Sequence, residues 1–283
     1  MAKKQKLATK IEKETIASVT ESPARKCLSA EIAVERSTAR QKSYVMDLRI
    51  HSPSSLGYLG IEGIDTAPAL VRLARVKGID VIAVTDFYSG HYINRIMAAA
   101  KGTEVTVIPG VMIRCAIDDC DDVVLSCLFP QTCTSERINE FLHALGVPAS
   151  TFGKREYLVR LSMEKILDIV DLFEGIVLPS RMDKTPQRMK TIAALVERFG
   201  FRTFDLAYQD SNRFFKKGWP RIKFNLYSFS SANALAQVGS RIARVKLPQM
   251  SFEALKEVMK REQALGSERQ SGKDKERRVS TQA

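Results

Sequence analysis

Residues 43–264 read as one α/β unit, either a βα barrel or a doubly wound sheet. Three observations predict it. Short β-branched runs alternate with amphipathic segments, caps and glycine stops punctuate the alternation, and no internal repeat or proline-rich linker interrupts it.

Taken in order, Tyr44 to Ile50 reads as a strand, and Thr66 to Lys77 as a helix with Pro68 in its first turn and Gly78 as its stop. Ile79 to Val84 is a nearly continuous apolar run, the pattern of a strand buried on both faces. Residues 89–100 read as a helix and Val105 to Ile108 as a strand; a strand over 123–129 precedes a helix over 135–144. The helix over 163–174 starts at Ser162 and stops at Gly175, before a strand at Ile176 to Leu178. Thr185 caps the next helix, with Pro186 at its first position, Ile192, Leu195, Val196 and Phe199 along one face, and Gly200 at its end. Strands near 202–206, 222–228 and 241–247 and a helix over 252–264 complete the set. In both candidate architectures ligands bind at the carboxyl ends of the strands, so the polar residues there are the ones to weigh.

Composition narrows the function classes. The 283 residues carry 44 Lys and Arg against 32 Asp and Glu, a formal charge of +12, with 45% hydrophobic residues, enough for a substantial core. The ends hold more than half of the excess charge. Residues 1–42 and 265–283 therefore read as flexible charged segments, able to touch nucleic acid weakly through phosphate contacts and otherwise solubilising. No apolar run approaches the roughly 18 residues that span a bilayer, and the start Met-Ala-Lys-Lys-Gln-Lys leads into no apolar stretch. A cytoplasmic protein with no membrane partner is expected.

Cys115, Cys120, Cys127 and Cys133 lack the paired CxxC spacing of a structural zinc site, so reduced core and loop cysteines are the simpler reading. The acidic run Asp118 to Asp122 reads as a solvated turn joining two strands, without the glycine or spacing of a calcium loop. Only three histidines occur, at 51, 91 and 143, which limits imidazole-based metal chemistry. His143 reads as a packed helix residue and His91 as a half-exposed one near the mouth.

The strand ends carry a resemblance. Asp47-Leu48-Arg49-Ile50-His51-Ser52, Thr85-Asp86-Phe87, and Pro109-Gly110-Val111-Met112 follow one another in order. Val124 to Pro130, Pro179-Ser180-Arg181-Met182-Asp183, and Ser230-Ser231-Ala232-Asn233-Ala234-Leu235 with Gly239 continue the series. Together they resemble the PHP (polymerase and histidinol phosphatase) family motifs D-L-H-x-H-S, T-D-H, P-G-x-E, H-[VIL]-L-C-L-F-P, P-A-H-x-D and S-D-A-H-S-L. The resemblance implies a distorted (β/α)7 barrel. It also implies a mouth that holds two or three divalent ions, zinc, manganese or iron, for phosphoester hydrolysis.

Position by position, however, this chain departs from the family's ligand set. Arg49 stands for the first His, Phe87 for the His after Asp86, Met112 for the Glu, Val124 for another His, Arg181 for the His of P-A-H, and Ser231 and Asn233 for the last Asp and His. Only His51 and Asp86 remain as possible zinc or manganese ligands, and two are too few. Guanidinium has no lone pair to offer a cation.

The leading expectation is thus a pseudoenzyme without a cofactor. Its barrel mouth, Arg49, His51, Asp86, Arg181, Ser231 and Asn233, takes a phosphate-containing ligand or a protein partner. The plainer version is a mouth plugged by ion pairs of Arg49 or Arg181 with Asp86, Asp47 or Asp183. Two alternatives stand beside it. One is an active phosphoesterase with a rebuilt zinc or manganese site using His51 and Asp86, with Asp47, His91 or Asp183. The other is a nucleic-acid-binding accessory protein using the charged ends and the basic, aromatic stretch Arg213 to Arg221.

Overall fold

The computed structural model describes residues 41–262. The segments read as flexible fall outside the described residues, apart from Gln41 and Lys42. Strand β1 (Lys42–Ile50) is followed by helix α1 (Thr66–Val76), β2 (Val81–Phe87), α2 (Ile93–Ala100), β3 (Thr106–Ile117), β4 (Cys120–Leu128), α3 (Ser135–Ala144) and α4 (Met163–Leu172). Then come β5 (Ile176–Pro179), α5 (Pro186–Glu197), β6 (Thr203–Asp205), α6 (Asn212–Gly218), β7 (Asn225–Tyr227), β8 (Ala243–Leu247) and α7 (Phe252–Met259). No helix among the described residues is long and apolar enough to cross a membrane.

Six strands form one curled sheet in the order β5-β4-β3-β2-β1-β8, and β6 pairs in parallel with β7. In this sheet β1 pairs with β2 and β2 with β3 in parallel; β4 turns back on β3, β5 turns back on β4 and so runs in the direction of β1 to β3, and β8 lies antiparallel to β1. Single bridges at Ser180–Asp205 and Ile50–Ala232 stitch the remaining strand ends together around what becomes the mouth. This is a distorted half-barrel. The regular βα alternation expected from the sequence breaks at β3 and β4, which are joined by a tight turn and not by a helix.

That hairpin exists because β3 is longer than the run 105–108 suggested. Pro109 stays in register opposite Val84, its carbonyl accepting Phe129 N–H at 2.9 Å just beyond the end of β4, where its missing N–H breaks no β3–β4 pair, and Gly110 lets the strands close up. A Cβ on Gly110 would meet Thr85 Cγ2 at 2.8 Å and Leu128 Cδ2 at 2.9 Å. All seven residues of β2 are buried, as a run flanked on both faces requires. Its side chains alternate between two apolar clusters, Val81 and Ala83 in one, Ile82 and Val84 in the other.

Helix ends follow their local chemistry. Thr134, Ser162, Thr185 and Ser251 each accept a backbone N–H from the first turn that follows. α2 starts at Ile93 and not at 89, because Ser89 bridges back to Asp86 and Gly90 packs where a Cβ would stand 2.6 Å from Ile138 Cβ. α7 ends at Met259, well short of 264, and Glu262 N–H instead donates to Gly200 O at 2.9 Å.

The basic, aromatic stretch folds as α6 and the turn after it. Phe215 is wholly buried and packs on Phe204 and Phe224, with Phe214 and Trp219 against it. Phe215 lies on the core side of α6 as a hydrophobic packing residue, and of the rings in this stretch only Phe214 and Trp219 keep part of their surface exposed.

Candidate functional site

Five of the six residues expected at the mouth line one cleft of about 310 Å³. β1 delivers Arg49 and His51, the end of β5 delivers Arg181, and the loop after β7 delivers Ser231 and Asn233. The sixth, Asp86, is placed apart from the cleft lining. Its carboxylate accepts Ser52 N–H at 2.8 Å, the Ser52 hydroxyl, and the Ser55 hydroxyl at 2.6 Å. Burial pushes the Asp86 carboxyl above its ordinary range, and the serine hydrogen bonds work against that shift.

Arg49 and Arg181 find partners other than those the sequence suggested. Arg49 Nη1 donates to Asp205 Oδ2 at 3.0 Å, in a pair whose carboxylate is wholly buried. Asp205 also accepts Phe229 N–H at 3.0 Å. Burial raises the Asp205 carboxyl, and the adjacent Arg49 charge opposes it. Among the described residues, the Arg181 guanidinium donates through Nη2 to Phe229 O, at 3.2 Å. Asp47 and Asp183 turn out to be backbone clasps: Asp47 accepts the N–H groups of Ser230 and Gly239, and Asp183 those of Ala207 and Tyr208. The expected plug by Asp86, Asp47 or Asp183 is therefore not how these arginines are held.

More positive charge gathers than the motifs revealed. Arg155, Lys184 and Arg188 join Arg49 and Arg181 around the cleft, against one acidic lining residue, Glu156. Arg188, nearly wholly buried, is gripped by Asp122 through Nε at 2.9 Å and also through Nη2. Asp122 takes Arg114 Nε at 2.8 Å as well. One end of the acidic run is thus a structural counter-ion within β4, while Asp118 and Asp119 form the turn. Lys184 has its pKa drawn down by burial and by the four neighbouring arginines. His51 is pushed down to about 4 by burial and by Arg49, Arg155 and Arg181, so its imidazole is neutral at pH 7.

Backbone geometry marks the same place. Arg181 (φ 56°) and Ser231 (φ 54°) occupy the left-handed region that non-glycine residues rarely enter. Within the cleft wall, Arg49 Nε, Arg181 Nε and Asn233 Oδ1 are buried polar atoms with no hydrogen-bond partner among the described residues. Phe87 stacks with His51, centroids 6.1 Å apart, and Val124 completes the apolar part of the wall. Met112 is fully buried away from the lining. His91 packs edge-on against Phe152, outside the cleft, and His143 lies on the exposed side of α3.

The donor set does not fit a divalent ion. His51 Nδ1 stands 3.9 Å from Asp86 Oδ1, whose oxygens already accept three hydrogen bonds, and two guanidinium groups occupy adjacent ligand positions. Among the described residues no three His, Cys, Asp or Glu side chains cluster as ligands, the four cysteines of β3, β4 and the following loop included.

Motif reading missed Asp205, Asp122, Arg155, Lys184 and Arg188. Asp205 closes β6 and was open to the same rule of inspecting polar strand ends; Arg155 and Lys184 sit in loops without any pattern to single them out.

No family model and no curated protein sequence matches the chain. Solved structures do. The lesion-specific Endonuclease Q of Pyrococcus furiosus superposes with a TM-score of 0.58 at 16% identity, over 77% of this chain and 56% of that one. An Endonuclease Q complex with a 27-mer duplex bearing an abasic lesion at the active site gives 0.56 at 15% identity, over 76% and 56%. A putative metal-dependent phosphoesterase from Bifidobacterium adolescentis gives 0.50 at 11% identity, over 75% of this chain and 94% of that one. The chain spans just over half the length of the Endonuclease Q structures. It has the PHP-type fold that its strand-end motifs resemble, with other residues in most of the positions where that resemblance puts metal ligands.

Proposed function

We propose that this chain is a phosphate-binding relative of the PHP-type phosphoesterases, in which fixed arginine charge takes the place of metal charge and no hydrolysis is catalysed. The carrying observation is the ring of five cationic side chains around one cleft, against the single acidic lining residue Glu156; two of them, Arg49 and Arg181, also leave buried Nε–H groups unpartnered among the described residues. A buried donor left unmade costs about 1–3 kcal/mol. An arginine that merely filled the mouth would be folded onto acceptors through all its nitrogens, as Arg188 nearly is on Asp122 and Arg181 O. A phosphate in the cleft would meet the guanidinium groups that line it, and the Ser231 hydroxyl and Asn233 amide as neutral partners.

Endonuclease Q holds DNA, and this supports a phosphate ester of a nucleotide or strand as one form of the ligand. The role is cytoplasmic and requires no zinc or manganese. Titration of the full chain with inorganic phosphate and with nucleotides, followed by calorimetry, tests the reading. Binding is expected to vanish in an Arg49→Ala, Arg181→Ala double variant, and an affinity unchanged by it overturns the anion site. Stoichiometric manganese or zinc with phosphoesterase activity lost in His51→Ala overturns the non-catalytic role.

A further inference from the structure

The proposed phosphate site leaves the rim of the cleft unexplained. Between β1 and α1 the chain passes through Leu56, Leu59, Ile61 and Ile64, which are 77%, 63%, 53% and 46% exposed. These are half of the eight large hydrophobic side chains exposed among the described residues, and they fall within nine positions. Exposed apolar groups concentrated in this way, beside polar groups, mark a contact surface.

The loop is fastened to the mouth on two sides. Leu56 N–H donates to Gly153 O at 3.2 Å and Leu59 N–H to Asn233 O at 2.7 Å, and Leu56, Gly153 and Asn233 all line the cleft. Gly153 (φ +76°) permits this approach, because a Cβ there would stand 2.5 Å from Ser54 O. The aliphatic side chains and the cations are thereby held around one opening.

What covers the rim can be argued from its reach. Leu56 lines the cleft, but Leu59, Ile61 and Ile64 do not, so an anion within the cleft leaves them in water. The occupant is larger than the cleft and joins a phosphate to apolar surface. Arg49 is recessed, only 7% exposed, so the phosphate must protrude to meet it. A phosphate lying flush in a lipid surface does not protrude; the terminal phosphate of a polymer does. Exposed Glu62 within the loop disfavours a phosphate backbone there and favours the uncharged faces of bases.

We propose that the cleft receives the terminal phosphate of a single-stranded nucleic acid, whose first bases lie on the rim formed by Leu56, Leu59, Ile61 and Ile64. This rests on the phosphate-binding reading above. Aliphatic side chains contact unstacked bases in other nucleic-acid complexes, and single strands offer those faces without the cost of opening a duplex.

Fluorescence anisotropy of the full chain with one short oligonucleotide, made with a 5′-phosphate, a 3′-phosphate or hydroxyls at both ends, tests it. One phosphorylated form should bind about tenfold tighter or more than the hydroxyl form, the scale of a charge-assisted hydrogen-bond set. Arg49→Ala with Arg181→Ala should erase that preference. Leu59→Ser with Ile61→Ser should weaken every oligonucleotide while leaving inorganic phosphate binding intact. Equal affinity for all three ends, with inorganic phosphate still bound, overturns this inference alone. Loss of inorganic phosphate binding in the wild-type chain overturns the reading beneath it. Vesicles containing phosphatidate that bind in a rim-dependent way, where oligonucleotides do not, assign the rim to lipid and overturn the nucleic acid.

Discussion

Removing the Arg49 side chain leaves Asp205 as a carboxylate with no exposure to water and one remaining hydrogen bond, from Phe229 N–H. Breaking one side of a buried pair costs about 3–5 kcal/mol, and the retained N–H bond together with the nearby Arg181 charge place Arg49→Ala near the low end, about 3 kcal/mol at pH 7. Urea unfolding of the full chain measures it. Adding Asp205→Asn removes the stranded charge and should return more than half of the loss. The pH dependence has a definite sign. Asp205 has a raised carboxyl pKa in the folded state, so its folded form gains relative stability on protonation. Loss of Arg49 raises it further, and the deficit of Arg49→Ala should shrink steadily as pH falls towards the ordinary carboxyl range near 4. A variant within about 0.5 kcal/mol of wild type at pH 7, or a double variant no more stable than the single, refutes the brace assigned to this pair.

Further outcomes follow from the same contacts. Asp122→Ala strands the buried Arg188 guanidinium and should lower stability by about 2 kcal/mol, discounted from a fully buried pair because Asp122 itself is partly exposed; urea unfolding reads it directly. Gly110→Ala forces a methyl against Thr85 and Leu128 and should cost about 1–3 kcal/mol by thermal or chemical unfolding. His51, held to about 4, should show no imidazole titration by NMR between pH 6 and 8, and its titration should move upward in Arg49→Ala. Because the unfolded imidazole binds its proton near pH 6.5 and the folded one only near 4, this residue should erode stability as pH falls through that interval.

Much of the frame was legible because burial writes itself into periodicity. The caps Ser162 and Thr185 and the glycine stop after α1 appear where the pattern placed them, and the buried strand read at 79–84 is found at 81–87. The turn at Asp118 to Asp122 between two strands was legible, but the length of the first was not: nothing in residues 105–117 shows that the strand runs on past Pro109 to Ile117. α6 escaped because its seven residues are short and its aromatics read equally as a strand approach. At the mouth, the motif positions put Arg49, His51, Arg181, Ser231 and Asn233 around one cleft. Their partners were another matter. Arg49 meets Asp205 across 156 positions of sequence, and a long-range pairing of that kind depends on how β6 is stitched to β5, which local pattern does not encode.

Five cationic side chains surround one small opening, and burial, with their charge added to it, lowers the proton affinity of Lys184 and His51. That charge is set when the chain folds and cannot be relieved by shedding an ion, as a metal centre can. On the proposed anion site, polyvalent anions should raise the melting temperature of the free protein while leaving variants without the two mouth arginines largely indifferent. If the cleft binds anions as proposed, its occupancy and the chain's resistance to unfolding are linked, and either one measures the other.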